Sequence, residues 1–183
     1  SVFSRFPRMV RDVCAKLGKQ VDLVLSGEGT ELDKSMIERL IDPLTHIVRN
    51  SIDHGIETPE KRRAAGKNDR GRVALAAFHQ GGRVVVEISD DGAGLSRERI
   101  LAKAREQGMH VHDSMTDGEV WQLIFMPGFS TAEQVTDLSG RGVGMDVVRR
   151  NLESVSGTVE VESQPGQGTT FRLKIPLTLA IIP

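Results

Sequence analysis

The chain has 183 residues, 38% of them hydrophobic, one cysteine and a formal net charge of -1. That length and apolar share suffice for one globular domain spanning residues 1–183 with a core of its own, and the single Cys14, at an apolar helical position beside Val10 and Val13, excludes an internal disulfide. The near-neutral balance argues against nucleic acid as a partner, and no apolar run is long enough to enter a membrane or to act as a signal peptide, so the chain reads as cytoplasmic with no direct membrane insertion.

In chain order, Phe3, Phe6, Val10, Val13 and Leu17 recur at helical spacing and Gly18 stops a first helix. Gln20 to Leu25 alternates as a strand. After the turn Gly27-Glu28-Gly29, Thr30-x-x-Asp33 resembles a capping box opening a second helix that runs to about Gly55. Its apolar stripe is Ile37, Leu40, Ile41, Leu44, Val48 and Ile52, and Pro43 inside it predicts a kink or a break. Glu57 to Arg70, polar and carrying Pro59 and Gly66, reads as a surface loop.

Arg72–His79 and Arg83–Ser89 flank Gly81-Gly82 as a hairpin. Ser96 caps a helix through Gln107, and Thr116-x-x-Glu119 caps another through about Phe125. Residues 126–144 lose all periodicity, and a loop that long is a functional lid or a disordered segment. A helix from Gly144 to about Ser156 follows, then a second hairpin, Thr158–Ser163 and Thr169–Ile175, around Pro165 to Gly168. The pattern predicts an α/β protein: a two-layer α/β sandwich with a mixed, mainly antiparallel sheet of about five strands and helices on one face.

Three stretches carry candidate chemistry. Steps of about four residues put His46, Asn50, Asp53 and His54 broadly on one face of the second helix, opposite the apolar stripe. That is either an ordinary wet face or a site; Asn and Asp are poor choices for the former, and an Asn oxygen suits Mg²⁺. Asp90, followed by Gly92 and Gly94, ends an apolar strand. It is either a turn residue or an acceptor for an exocyclic amine, with the glycines admitting a flat ring. Gly140-Arg-Gly142-Val-Gly144 enters a helix N-terminus, a junction that is a plain loop or a holder of phosphate oxygens.

Taken in this order, the three stretches resemble the boxes of the gyrase, Hsp90, histidine kinase and MutL superfamily. The strings Leu-Thr-His-Ile-Val-Arg-Asn-Ser-Ile-Asp-His-Gly, Pro-Gly-Phe-Ser-Thr and Ser-Gly-Arg-Gly-Val-Gly-Met-Asp-Val-Val are similar to those of chemotaxis histidine kinases. The resemblance covers essentially the whole chain. It implies the Bergerat ATP-binding fold, with ATP and Mg²⁺ as ligands. It assigns nucleotide contacts to Asn50, Asp53, His54, Asp90, Gly92, Gly94, Ser130, Thr131, Gly140, Arg141, Gly142, Val143, Gly144, Met145 and Thr169. Asn50 is the implied metal contact, and His46, Asn50 and His54 the implied catalytic group, with His46 either a general base or an orienting residue. Ser130 to Leu138 is the implied lid.

The implied partner is a histidine-containing phosphotransfer domain of the same protein, acting in trans across a dimer. Residues 1–6 are expected to be the remnant of a dimerisation helix and 177–183 the start of a linker to a receptor-coupling domain, with a coupling protein and chemoreceptors as indirect partners at membrane-associated arrays. Two rivals stand beside this expectation: an ATP-gated conformational module of the Hsp90 or MutL kind, and an adaptor with a non-catalytic nucleotide pocket.

Overall fold

The alternating segments become five strands in a computed structural model that describes residues 1–129 and 144–177. These are β1 (Val21–Ser26), β2 (Gly71–Gln80), β3 (Arg83–Asp90), β4 (Thr158–Gln164) and β5 (Gly168–Pro176). They form one sheet in the order β1-β2-β3-β5-β4. β1 runs parallel to β2 and every other pairing is antiparallel. The helices are α1 (Phe6–Leu17), α2 (Lys34–Asn50), α3 (Pro59–Ala64), α4 (Arg97–Glu106), α5 (Asp117–Gln122) and α6 (Met145–Glu153). The two-layer α/β architecture with a mixed sheet is the one expected.

One sheet face presents Val73, Leu75, Val84, Val86, Ile88, Phe171, Leu173 and Ile175 to the helices, where they join Phe3, Phe6, Leu40, Leu44, Ile47, Val48 and Ile52 in the core. The opposite face carries a ladder of ion pairs, with Arg172 between Glu87, Glu160 and Glu162 and Lys174 beside Glu160. This alternation is the period-two signature of a sheet buried on one side. Val2 and Phe3 lie ahead of α1 in a turn, yet both are buried with Phe6 in the core. Cys14 is also buried, and desolvation pushes its thiol pKa up against the opposing pull of Lys19 and Arg70.

Four local expectations need correction. α2 starts after Asp33, while the Thr30 hydroxyl donates to Ala77 O at 3.0 Å and so ties the preceding turn to β2. α2 also passes through Pro43 unbroken; the proline is buried in the packed face with Leu40, Leu44 and Ile47, and tertiary packing outweighs the one lost backbone bond. The helix through Phe125 is α5 followed by a 3₁₀ turn at Leu123–Phe125. The Glu57–Arg70 segment contains α3, whose Thr58 cap and Pro59 at the first turn are a proper helix start hidden by polar composition.

Candidate functional site

The last turn of the pocket helix is where the regular structure gives way. α2 ends at Asn50 and continues as a π-turn, Ser51–Gly55, closed by Ile56 N–H donating to Ser51 O at 2.8 Å. Such turns cost hydrogen-bond geometry and concentrate at functional sites. Lys19 supports this one: its Nζ donates to Ile52 O at 2.7 Å and to Asp53 O at 2.6 Å.

The π-turn delivers Gly55 against the end of β3. Ala93 N–H donates to Gly55 O at 2.9 Å, and a Cβ on Gly92 would lie 2.1 Å from that same oxygen, so only glycine fits. Gly92 is therefore required for backbone packing behind the site. It does not line the pocket, whereas Gly94 does. A second close approach occurs at Gly168, with φ 124°, where a Cβ would meet Asp90 O at 1.9 Å.

Asp90 sits where these elements converge. Its Oδ1 accepts Gly92 N–H at 2.9 Å, and Thr169, its neighbour across the β3–β5 pair, supplies a further backbone donor. The buried Ser51 hydroxyl favours the charged carboxylate without closing a well-formed hydrogen bond. Burial still dominates these donors, and with a small push from the Asp91 charge it raises the carboxyl to about 6.

An open pocket of about 170 Å³ spreads from Asp90 to α2 and α6. His46, Asn50 and His54 line one side, Met145 and Thr169 the others, and Leu95, Ile124, Phe129 and Phe171 supply an apolar wall. The face that reads as either wet or a site is thus turned onto a cavity, and His46 Nε2 is buried without a partner among the described residues. Desolvation, reinforced by Arg49 and opposed by Asp146, holds the His46 pKa below its ordinary value, so the imidazole is neutral at pH 7. Asn50 Nδ2 donates to Met145 Sδ at 3.0 Å, which leaves the oxygen as the end of the amide available to a cation. Asp53 does not line the pocket; its carboxylate is 3.7 Å from His54 Nε2.

Of the other expected contacts, Gly144 caps α6, while Ser130, Thr131, Gly140, Arg141, Gly142, Val143 and the lid segment Ser130 to Leu138 lie outside the described residues. Sequence reasoning missed Ser51, Gly55, Leu95, Ile124, Phe129 and Phe171 as pocket residues. Gly55 and Phe171 left a signal: the first closes the His-Gly string of the pocket helix, and the second shares the inward face of β5 with Thr169.

Residues 39–179 match the family described as histidine kinase-, DNA gyrase B-, and HSP90-like ATPase. The Chemotaxis protein CheA of Salmonella typhimurium is 68% identical over 99% of this chain, which spans 27% of that protein. The Chemotaxis protein CheA of Bacillus subtilis is 51% identical over 100% of this chain and 28% of its own length. The Sensor histidine kinase CheAY of Helicobacter pylori is 53% identical over 99% of this chain and 23% of its own. The chain therefore spans roughly a quarter of the length of these curated relatives.

Among solved structures, the histidine kinase domain of a blue-light activated histidine kinase from Erythrobacter litoralis superposes with a TM-score of 0.57 at 14% identity, covering 100% of this chain and 69% of that one. The catalytic domain of histidine kinase ThkA gives 0.53 at 18%, covering 96% and 86%. At such identities the likeness is one of fold.

Proposed function

Because the chain belongs to the histidine kinase-, DNA gyrase B-, and HSP90-like ATPase family, we propose that it is the ATP-binding catalytic domain of a chemotaxis histidine kinase. In this reading it binds Mg-ATP beside Asp90, and the γ-phosphoryl group passes to a histidine on a separate phosphotransfer domain in trans. The observation that carries the reading is Asp90 itself: a half-buried carboxylate at a strand end, held by the Gly92 amide and opening onto a pocket with an apolar wall.

Each residue has a role in it. Asp90 accepts the exocyclic amine of adenine, and Leu95, Ile124, Phe129 and Phe171 exclude water around the ring. Asn50 offers its amide oxygen as the protein ligand to Mg²⁺, a fit supported by the Nδ2–Met145 contact that orients the amide. Bound there, Mg²⁺ would neutralise phosphate charge. His54 lies beside Asn50 on the pocket wall and contacts the phosphates. The neutral His46 accepts a proton from the attacking group or orients its neighbour. Gly144, at the N-terminus of α6, offers its end of the helix to the phosphates, and Gly140, Arg141, Gly142, Val143, Ser130 and Thr131 are the further phosphate contacts that the reading assigns. Phosphoryl transfer asks mainly for this kind of alignment and charge stabilisation.

Calorimetric titration of ATP with Mg²⁺ into the protein and into Asp90→Asn tests the site. Saturable binding that is strongly weakened in the variant upholds it; undiminished binding sinks it. Phosphate transfer from ATP to a supplied histidine-containing phosphotransfer domain then tests the activity, and hydrolysis without transfer would favour the ATP-gated module.

A further inference from the structure

The polar segment between the pocket helix and β2 contains a feature that nucleotide binding alone leaves without a role. Arg62 of α3 is a charged side chain only 2% exposed. Burying a guanidinium is costly unless its donors are matched, and here they are. Nε donates to Asn68 O at 2.6 Å, Nη1 to Glu57 Oε1 at 3.0 Å and to Asp91 O at 3.2 Å, and Nη2 to Asp91 Oδ2 at 3.2 Å. Lys67 joins from the other side, its Nζ donating to Glu57 Oε2 at 2.8 Å, Asp91 O at 3.0 Å and Gly92 O at 2.9 Å. Two cations thus grip the two carbonyls that directly follow Asp90.

The geometry of a trans peptide turns this grip into aim. The C=O of Asp91 and the N–H of Gly92 belong to one planar unit and point in opposite directions. With the oxygen held by Arg62 and Lys67, the N–H is directed at Asp90 Oδ1, where it donates at 2.9 Å. The cations also polarise that peptide and strengthen the donor. We propose that Arg62 and Lys67 are positioning residues for base recognition: by holding the Asp91–Gly92 peptide they orient the Asp90 carboxylate and so set the preference for a 6-amino purine. The proposal rests on the reading of Asp90 as the acceptor of the adenine amine.

Lys67→Met keeps the aliphatic stem, leaves Arg62 paired with Glu57 and is the variant of choice, since removing the buried Arg62 would empty its site and take its donors from Asn68 O, Glu57 Oε1 and Asp91 Oδ2 together. ATP and inosine triphosphate, whose 6-position is an oxygen, are titrated calorimetrically into the wild type, Asp90→Asn, Lys67→Met and Lys67→Arg, with thermal unfolding and the Gly92 amide resonance followed in parallel. Lys67→Met is expected to lose roughly threefold to tenfold in ATP affinity, the scale of one weakened hydrogen bond, and to bind inosine triphosphate as the wild type does. Its Gly92 amide proton moves upfield and exchanges faster, and Lys67→Arg recovers most of the preference. An unchanged ATP to inosine triphosphate ratio in Lys67→Met, or an equal loss for both nucleotides, beside a ratio abolished in Asp90→Asn, overturns this proposal alone. A wild type without preference, or an Asp90→Asn variant that keeps it, overturns the base reading and this proposal with it.

Discussion

The two ends of the pocket are built on opposite plans. At the Asp90 end nearly every polar group is engaged, the buried Ser51 hydroxyl excepted: the carboxylate with Gly92, the Asp91 and Gly92 carbonyls with Arg62 and Lys67, and Ala93 with Gly55. At the α2 end, among the described residues, His46 Nε2 is buried with no partner and the Asn50 amide makes a single weak bond to a methionine sulfur. A saturated network is stiff and keeps a recognition group in register, whereas unmatched polar atoms raise the energy of the free protein and are stabilised when a polar ligand meets them. The contrast fits a site in which one end selects and the other reacts.

The sharpest way to break this contrast is to remove a group from each end. Asp90→Asn is expected to lower ATP affinity by roughly 10- to 100-fold, the scale of a hydrogen bond to a charged acceptor, in calorimetric titrations. Asn50→Ala is expected to slow phosphoryl transfer to a supplied acceptor domain by about 100-fold, read in single-turnover assays, while ATP affinity without Mg²⁺ changes less. If the two variants exchanged these signatures, the division between ends would be wrong.

Titration sharpens it further, because the two ends carry opposite signs. The Asp90 pKa of about 6 lies above its unfolded value, so the folded state holds the proton more tightly. Its contribution to stability is full below about pH 4 and lost as pH rises through 6, a cost of about 3 kcal/mol at neutrality. Asp90→Asn is therefore expected to stabilise the nucleotide-free protein by roughly 1–3 kcal/mol at pH 8, with the gain shrinking towards pH 4, in denaturant unfolding. His46, depressed by burial, works the other way: the folded state holds its proton less tightly, so stability falls as pH drops below the unfolded value near 6.5. His46→Gln removes that acid-side loss, and an unchanged pH profile would mean the imidazole is solvated.

The smallest effects belong to the far face of the sheet and to the tryptophan. Arg172→Ala, which breaks partly exposed ion pairs to Glu87 and Glu162, is expected to cost no more than about 1 kcal/mol of stability and to leave ATP affinity unchanged. Trp121 is buried in α5 immediately before the turn that places Ile124 on the pocket wall. Its fluorescence is expected to shift slightly on ATP addition; a spectrum unchanged at saturation would detach that wall from the nucleotide.

Much of this architecture was legible in local patterns. The two-residue connection at Gly81-Gly82, the Thr116 capping box and the inward alternation of β2 and β5 depend on neighbours a few residues away, where turn chemistry and periodicity act. The spacing of His46, Asn50 and His54 likewise brings them to one side of a helix. By itself, then, the sequence determined the strand and helix pattern, the order of the three boxes and the family they resemble.

Tertiary structure decided the rest, because it depends on partners distant in the chain. That the His46 face looks into a cavity follows from β5 and α6 arriving more than 90 positions later. That Gly92 serves backbone packing follows from the Gly55 carbonyl delivered by the π-turn. The polar segment after Glu57 reads as a loop because charged residues ordinarily face water, and only the carbonyls of Asp91 and Gly92, brought within reach by the sheet, turn Arg62 into a buried cation. Periodicity reports where a side chain points along its own element; what waits on the other side is a property of the assembled fold.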